Sequence, residues 1–191
     1  SCIDVLEQEK KFKVAGVVER KGVSRKHVLG YPVLGFDNDL PKLRIHFEYA
    51  LITIGHIKSP EARKNIFSQL NELDFNLPIV VSPNAYLSKH AVIGLGTIIM
   101  HDTLVNSGAQ IGKNCIVNSK SLIEHDVLIG NHCHIATGCL INGGVKVGQD
   151  SFIGSGSVVR EGAKIGQGSF VAGGTRVMRD LPTNSNYKNS L

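Results

Sequence analysis

The sequence has no run of eighteen apolar residues, about the length that a membrane-spanning helix needs, and no N-terminal signal peptide. These two absences predict a cytoplasmic protein that has no membrane partner. The 191 residues carry a formal net charge of +5, yet the basic residues are scattered and no aromatic residues alternate with them. Nucleic-acid binding is therefore not expected, whereas a small ligand that carries phosphate groups accounts for the charge.

What the sequence has in abundance is one repeat. From Val81 to Val177 every sixth residue is Val, Ile or Leu, and the residue four places after each is small or β-branched. A period of six fits neither an α-helix nor the alternation of a flat strand, so the backbone must turn a corner in each hexad. Glycine follows the aliphatic residue at intervals of eighteen, from Gly94 to Gly166, as expected for corners that need a positive φ. Three hexads per coil predict a triangular prism of parallel β-strands, roughly 25 Å tall.

Cysteine is scarce, and three of the four cysteines belong to this repeat. Cys115, Cys133 and Cys139 occupy the small interior position. We therefore predict that they fill the core rather than form disulfides, bind metal or act as nucleophiles. Cys2 has no obvious partner.

The first 79 residues follow a different pattern. Helices are predicted at residues 1–10 and 59–73, and strands at residues 12–20, 50–55 and 77–82. This alternation predicts a small parallel α/β domain over residues 1–79, followed by the prism over residues 80–191.

A ligand is expected at the end of the predicted strand at 50–55. Gly55 ends this strand and precedes the N-terminus of a helix that opens at Ser59 and Pro60. Strand ends and helix N-termini both favour bound ligands in α/β folds. A plain strand-to-helix turn explains the same residues equally well.

Three segments carry a resemblance to a known family. They are LGYPVLG at residues 29–35, ITIGHIKSPEAR at residues 52–63 and, most specific, NSKSLIEHDVLIGNHCHIATGCLINGGVKVG at residues 118–148. Together with the repeat, they make the chain similar to hexapeptide-repeat acetyltransferases that modify sugar precursors of bacterial surface glycans, of the bacillosamine N-acetyltransferase and sialic-acid-cluster types. The resemblance implies a Rossmann-like α/β domain that binds a nucleotide sugar, a left-handed parallel β-helix, acetyl-CoA as co-substrate and no metal.

The reaction that the resemblance implies is direct acetyl transfer. The acetyl group of acetyl-CoA would pass to the amino group of a nucleotide-activated amino-deoxysugar, which serves surface glycans or sialic and legionaminic-type acids. No covalent acyl-enzyme is needed. The family's members are homotrimers with active sites in the clefts between prisms, so a homotrimer is expected here.

The chain departs from the family in its first domain. The family's leading strand and glycine-rich loop are missing before Ser1, there is no initiator Met, and Glu19 beside Arg20 stands where the family often has an acidic pair. The family's tail is reduced to NYKNSL at residues 186–191. In the family, the glycine-rich loop would contact the phosphates of the nucleotide. Its absence before Ser1 therefore puts nucleotide binding by this chain in question.

His125 is the candidate base. It follows Ile123 by two residues and lies outside both interior positions, so its imidazole is predicted to face outward. Acetyl transfer to an amine needs a base, and histidine titrates in a suitable range. Glu124 and Asp126 are both placed to orient the ring, and the spacing does not choose between them. Taken alone, His125 could be an ordinary surface histidine; the resemblance implies that it is the general base and Asp126 its partner.

The resemblance also implies residues for acetyl-CoA. His134 contacts the thioester region, and Ser155 and Gly173 bind CoA, largely through main-chain groups. Gly143 lies one coil of eighteen residues after His125, where the absence of a side chain is expected to leave room for the thioester. For both glycines the geometry of a corner is an equal explanation.

Asn118 and the spacing of the two histidines complete the candidate site. Asn118 could hydrogen-bond the sugar or the developing oxyanion, although an Asn that satisfies a coil corner is nearly as good an explanation. His125 and His134 are half a coil apart, so they belong on different faces of one prism. A shared site is then more easily built from two subunits packed side by side.

Three other functions fit the same fold. An O-acetyltransferase of sialic-acid-type sugars shares the base and the donor, so these residues do not separate it from an N-acetyltransferase. A zinc hydratase requires three converging histidines, for which His101, His125, His132 and His134 are numerous enough. A noncatalytic binding prism would show repeated threonine or charged rows, whereas the outward positions here are varied.

Overall fold

A computed structural model describes residues 1–188, so the last three residues of the tail lie outside the described part. The first part of the chain contains three α-helices and three strands. They are α1 (Cys2–Glu9), β1 (Val17–Glu19), β2 (His27–Val28), β3 (Tyr31–Phe36), a 3₁₀ turn (Asp37–Asp39), α2 (Leu40–Arg44) and α3 (Glu61–Glu72). Strand β3 is central, with β1 parallel on one side and β2 antiparallel on the other. None of the helices within residues 1–188 is long and apolar enough to cross a membrane.

The predicted helices are confirmed as α1 and α3, and the predicted strand at 12–20 shortens to β1. Two expectations are wrong. The sheet is mixed rather than parallel, and residues 50–55 form no strand, the nearest pairing being a single bridge between Tyr49 and Asn76. The physical reason lies in Arg63 of α3, whose Nη1 donates to the carbonyls of Ile52 (2.7 Å) and Ile54 (2.8 Å). The guanidinium thus takes alternate carbonyls that a neighbouring strand would otherwise bind.

The repeat forms the predicted triangular prism, with each hexad supplying a strand of two residues. The strands are β4 (Val80–Val81), β5 (Tyr86–Leu87), β6 (Val92–Ile93), β7 (Ile98–Ile99), β8 (Leu104–Val105), β9 (Gln110–Ile111), β10 (Ile116–Val117), β11 (Leu122–Ile123), β12 (Leu128–Ile129), β13 (His134–Ile135), β14 (Leu140–Ile141), β15 (Lys146–Val147), β16 (Phe152–Ile153), β17 (Val158–Val159), β18 (Lys164–Ile165), β19 (Phe170–Val171), β20 (Arg176–Val177) and β21 (Asn186–Tyr187). The predicted strand at 77–82 is confirmed as β4.

From β4 to β20 every third strand joins the same parallel sheet, whereas β21, beyond the repeat, pairs with β19. The seven-stranded sheet runs from β4 to β21, the six-stranded sheet from β5 to β20 and the five-stranded sheet from β6 to β18. Pairing follows the eighteen-residue spacing, so that Ile123 of β11 lies between Val105 of β8 and Ile141 of β14. The three-hexad coil is therefore confirmed.

Inside the prism, the aliphatic positions are buried from Ile99 to Val177 and partly buried at Val81, Leu87 and Ile93, and several of the small polar positions carry hydrogen bonds. The Ser121 hydroxyl donates to the Ala136 carbonyl (2.9 Å) and the Cys133 thiol donates to the Gly148 carbonyl (3.1 Å), each fifteen residues ahead. Small donors are therefore useful at these positions because each one satisfies a carbonyl near a corner. Burial raises the pKa of the Cys139 thiol to about 11, and all four cysteines are free, so Cys115, Cys133 and Cys139 are core residues as predicted.

The glycines at intervals of eighteen are needed for a different reason from the one expected. Gly112 does not have a positive φ; a Cβ added there would lie 2.7 Å from the backbone nitrogen of Asn131 in the next coil. The positive φ falls two residues later, at Asn114 (55°), His132 (60°) and Asp150 (63°). Stacked coils leave no room for a Cβ at the corner itself, and the left-handed position tolerates these polar residues.

The three outer faces of the prism differ. The seven-stranded sheet is covered by the first part of the chain, since Val5 and Leu6 of α1 pack on Val80, Ile98 and Met100. The five-stranded sheet exposes mainly polar side chains. The six-stranded sheet exposes an apolar row, called here the apolar face, which consists of Tyr86, Leu104, Leu122, Leu140 and Val158.

Candidate active site

His125 and Asp126 form an outward corner between β11 and β12. Asp126 adopts a left-handed φ of 59°, which turns its carboxylate toward the ring. Its Oδ2 lies 3.0 Å from Nδ1 of His125, and an ionised carboxylate only accepts, so Nδ1 carries the proton. This hydrogen bond is the main cause that raises the pKa of His125. The second ring nitrogen, Nε2, is left with its lone pair, which is the form that a general base requires.

Glu124 has a different task from Asp126. Its Oε2 accepts from the backbone N–H of His125 (3.2 Å) and from Nδ2 of Asn106 in the coil before (3.0 Å). Glu124 therefore holds the turn, whereas Asp126 holds the ring. The spacing alone left these two carboxylates equivalent.

Two glycines in neighbouring coils enclose the pair. A Cβ added to Gly143 would lie 2.6 Å from Nε2 of His125, and a Cβ added to Gly108 would collide with Oδ1 of Asp126. The space over Gly143 was expected to receive a thioester, but the His125 ring itself leans into it. Gly108, eighteen residues before Asp126, was not singled out in the sequence, although the column spacing identifies it.

His134 lies on a different face, in β13 of the seven-stranded sheet. Its Nδ1 donates to the carbonyl of His56 (2.8 Å), and its ring packs edge-on against Phe152. Burial lowers the pKa of His134. His56 is 8% exposed, and burial lowers its pKa to about 4. Both rings are therefore neutral near pH 7.

Gly55 packs onto this histidine. A Cβ at Gly55 would lie 3.3 Å from Cε1 of His134, so the close approach itself favours glycine. The Ser59 hydroxyl accepts from the Glu61 N–H (3.3 Å) at the start of α3. A cavity of about 240 Å³ opens beside this helix end, and Lys58 and Ser59 belong to its lining, whereas Gly55 does not.

Arg63 holds the segment that carries Gly55 and was not identified from the sequence. It is 1% exposed, and besides the two carbonyls described above it donates to the carbonyls of Asn114 (3.2 Å) and Gly96 (3.4 Å). No carboxylate pairs with it among the described residues, and burial lowers its pKa to about 10. Arg63 thus ties the loop at 52–56 to the first coils of the prism.

Asn118, Ser155 and Gly173 lie along one edge, between the seven-stranded and six-stranded sheets. The side-chain Oδ1 of Asn118 accepts a hydrogen bond from the Ser119 N–H (2.8 Å). This is the bond expected of an Asn that satisfies a coil corner. Ser155 and Gly173 stack one coil apart, because the Gly174 N–H donates to the Ser155 carbonyl (2.8 Å).

Apart from His134 and Gly55, which lie together on the seven-stranded sheet, the site residues predicted from the sequence form two edge columns in one chain. His125 and Gly143 occupy the edge between the six-stranded and five-stranded sheets, and Asn118, Ser155 and Gly173 occupy the other edge of the six-stranded sheet. The apolar face lies between the two columns. No side chain of one column is hydrogen-bonded to the other among residues 1–188.

The histidines considered for zinc are dispersed. His132 pairs with Nδ2 of Asn114 (2.9 Å) and His134 with a backbone carbonyl, while His101 is bound between α1 and the first coil. Within residues 1–188, no three His, Cys, Asp or Glu side chains lie close enough together to hold a metal ion.

A prism of hexads is the fold of hexapeptide-repeat proteins, and an outward histidine paired with a carboxylate suits a member that transfers an acyl group by base catalysis. The family described as bacterial transferase hexapeptide (six repeats) matches residues 108–143 and 144–179. A variant of perosamine N-acetyltransferase from Caulobacter crescentus, solved with CoA and GDP-perosamine, is 30% identical with a TM-score of 0.89, over 95% of this chain and 84% of that chain. The chain belongs to the bacterial hexapeptide-repeat transferases and is an acetyltransferase with a left-handed parallel β-helix.

More distant structures share the fold. The acetyltransferase domain of PglB from Neisseria gonorrhoeae is 24% identical with a TM-score of 0.87, over 96% of this chain and 87% of that chain. WeeI from Acinetobacter baumannii is 22% identical with a TM-score of 0.79, over 95% and 87%. No curated protein sequence matches the chain.

Proposed function

We propose that this enzyme transfers the acetyl group of acetyl-CoA to the amino group of a nucleotide-linked amino-deoxysugar that serves surface glycans or sialic-type acids. The observation that carries the proposal is the lone pair on Nε2 of His125, which the Nδ1–Asp126 hydrogen bond exposes at an open corner. The relative that is 30% identical was solved with CoA and GDP-perosamine, an amino sugar linked to a nucleotide, which supports both substrates. We expect the reaction to take place in the cytoplasm, where both substrates are made.

In the proposed reaction, the neutral amine attacks the thioester carbonyl. As the nitrogen–carbon bond forms, one N–H proton passes to Nε2 of His125, and Asp126 stabilises the imidazolium. Backbone N–H groups stabilise the tetrahedral oxyanion. When the carbon–sulfur bond breaks, the CoA thiolate takes the proton from His125, so no acyl-enzyme forms. His134, Ser155 and Gly173 are proposed to bind acetyl-CoA.

Residues 1–79 are proposed to bind the nucleotide sugar, and residues 80–191 to carry the acetyl transfer. Gly55 and Asn118 remain the candidates for contacts with the acceptor. Gly55 is exposed and held in place through Arg63. The Oδ1 of Asn118 is engaged in its corner, which leaves its Nδ2 to donate to the sugar.

The arrangement of the two edge columns supports a homotrimer. If three apolar faces pack around a threefold axis, the His125 edge of one subunit meets the Ser155 edge of the next. Each cleft then receives the base with Gly143 from one subunit, and Asn118, Ser155 and Gly173 from its neighbour. The apolar face would be buried at the same time, which favours association.

The proposed function is tested by following acetyl-CoA consumption with UDP- and GDP-linked 4-amino sugars and with free sialic acids. We expect turnover with a nucleotide-linked amine. Turnover with sialic acids alone would identify an O-acetyltransferase instead, and turnover with neither class would refute both.

Replacing His125 by Ala should lower kcat by a hundredfold or more, the loss expected when a general base is removed. His90 is an exposed histidine on the same edge, two coils away, so His90→Ala is the matched control and should retain full activity. Equal activity of His125→Ala and the control would refute the role of His125.

A further inference from the structure

The His125 edge contains a notch one coil wide. The Gly144 N–H donates to the His125 carbonyl and the Gly162 N–H donates to the Gly143 carbonyl, both at 2.9 Å. These bonds stack residues 125, 143 and 161 in one column. Because Gly143 has no side chain, the His125 ring leans over it, and Nε2 lies 2.6 Å from where a Cβ of residue 143 would be. Glu161 starts one coil, roughly 4.8 Å, further along the same column.

Both walls of this notch accept hydrogen bonds. Nε2 of His125 presents a lone pair, because Asp126 holds the proton on Nδ1, and a carboxylate such as Glu161 has no proton to donate. Glu161 is exposed, and within residues 1–188 no ion pair or hydrogen bond engages its side chain. Arg179, eighteen residues after Glu161 in the sequence, lies over the Tyr187 ring (6.0 Å).

We propose that Glu161 determines the specificity of this site for an amine over a hydroxyl, by accepting one N–H of the acceptor while Nε2 of His125 accepts the other. The proposal rests on the function proposed above and narrows it to N-acetylation. An amine has two hydrogens, one for each acceptor. A hydroxyl has one, so it leaves one acceptor unpaired and faces it with an oxygen lone pair.

The roles of the two hydrogens follow the course of the reaction. The N–H that faces His125 is transferred as the nitrogen–carbon bond forms and leaves with CoA as its thiol hydrogen. The N–H that faces Glu161 stays on the nitrogen and becomes the amide N–H of the product. An acceptor that arrives as an ammonium first loses one proton to water, and the charges of Glu124, Asp126 and Glu161 attract it to the notch. Glu161 is near enough to contribute to the raised pKa of His125.

The test compares a nucleotide-linked amino sugar with the same compound carrying a hydroxyl in place of the amine. For Glu161→Ala, we expect kcat/KM for the amine to fall about ten- to a hundredfold, the range for losing a charged hydrogen bond. The competitive inhibition constant of the hydroxyl compound should change less than twofold. Glu161→Gln, whose amide oxygen still accepts, should retain more activity than Glu161→Ala.

Glu72 is an exposed carboxylate at the end of α3, so Glu72→Ala is the control and should leave both constants unchanged. The assignment is overturned if Glu161→Ala leaves kcat/KM for the amine intact. It is likewise overturned if the inhibition constant of the hydroxyl compound rises by the same factor as kcat/KM for the amine falls. It is also overturned if thermal unfolding shows that the variant has lost its fold. If the wild-type enzyme acetylates the hydroxyl compound and not the amine, the proposed function itself fails.

Discussion

At His125, a single hydrogen bond decides which nitrogen is free to accept a proton. Asp126 takes Nδ1–H, and the absence of a side chain at Gly143, one coil away, leaves room for the ring. Glu124, equally close in sequence, points its carboxylate at the backbone and at Asn106 instead. The two acids therefore contribute differently, one through the proton on the ring and one through the shape of the turn.

Asp126→Asn should shift the acid limb of the kcat/KM profile to lower pH. The active form is neutral His125, whose raised pKa means that the wild-type enzyme reaches this form only at a higher pH than an ordinary histidine would. Loss of the carboxylate lowers that pKa, and the plateau should fall tenfold or more because the ring is less basic and less well held. If the acid limb stays in place, Asp126 is not the partner that raises the pKa of His125. Glu124→Gln should shift the limb less, because the charge of Glu124 contributes less to that pKa.

At the scale of the element, α3 and the loop before it depend on one buried cation. Arg63 donates to four backbone carbonyls that belong to the loop and to two coils of the prism. A strand at residues 50–55 would have satisfied its carbonyls in a sheet. Instead, the charged guanidinium donates hydrogen bonds to the carbonyls of Ile52 and Ile54. The same bonds fix Gly55 over His134.

Arg63→Met should reduce the free energy of unfolding by at least about 3 kcal/mol, because each buried carbonyl left without a donor costs about 1–3 kcal/mol. The neighbouring Lys64 is the matched control. It contacts Glu61 (3.1 Å) and Asp150 (3.2 Å) with a side chain that is 30% exposed, so Lys64→Met should cost less than about 1 kcal/mol. Urea denaturation of both variants measures the difference. Similar losses in the free energy of unfolding would show that Arg63 does not hold the loop at 52–56 to the prism.

At the scale of the whole molecule, one prism holds the predicted edge residues in two separate columns and has an uncovered apolar face. Both features have the same geometric origin, since the two edge columns border the six-stranded sheet. Packing of that sheet in a trimer would complete the site and bury the apolar side chains together.

If the enzyme is the proposed homotrimer, Leu140→Asp should convert it into monomers and lower activity at least a hundredfold, because a charge would be buried at the centre of the interface. Val92 lies on the five-stranded sheet and is 63% exposed, compared with 40% for Leu140, so Val92→Asp should leave the proposed trimer intact. Sedimentation velocity and acetyl-CoA consumption measure both effects. An active wild-type monomer would refute the shared cleft.

Much of the candidate site was predictable because the column spacing is constant. Adding or subtracting eighteen from His125 or Asp126 leads to Gly143 and Gly108, and adding thirty-six to His125 leads to Glu161. The failure at residues 50–55 has a different cause. Its apolar composition favours a strand, but the hydrogen-bond partner is a side chain eleven residues away whose charge favours a surface position.

The sequence by itself determined the prism, its three sheets and its buried cysteines. A period of six is a local property, since each hexad repeats the same inward and outward positions and the coils then stack in register. Only the tertiary structure decided which carboxylate holds His125, what binds the loop at 52–56, and that His134 is buried against His56, away from both edge columns. Those outcomes depend on where side chains from distant coils and from α3 meet in space, and no local repeat encodes such contacts.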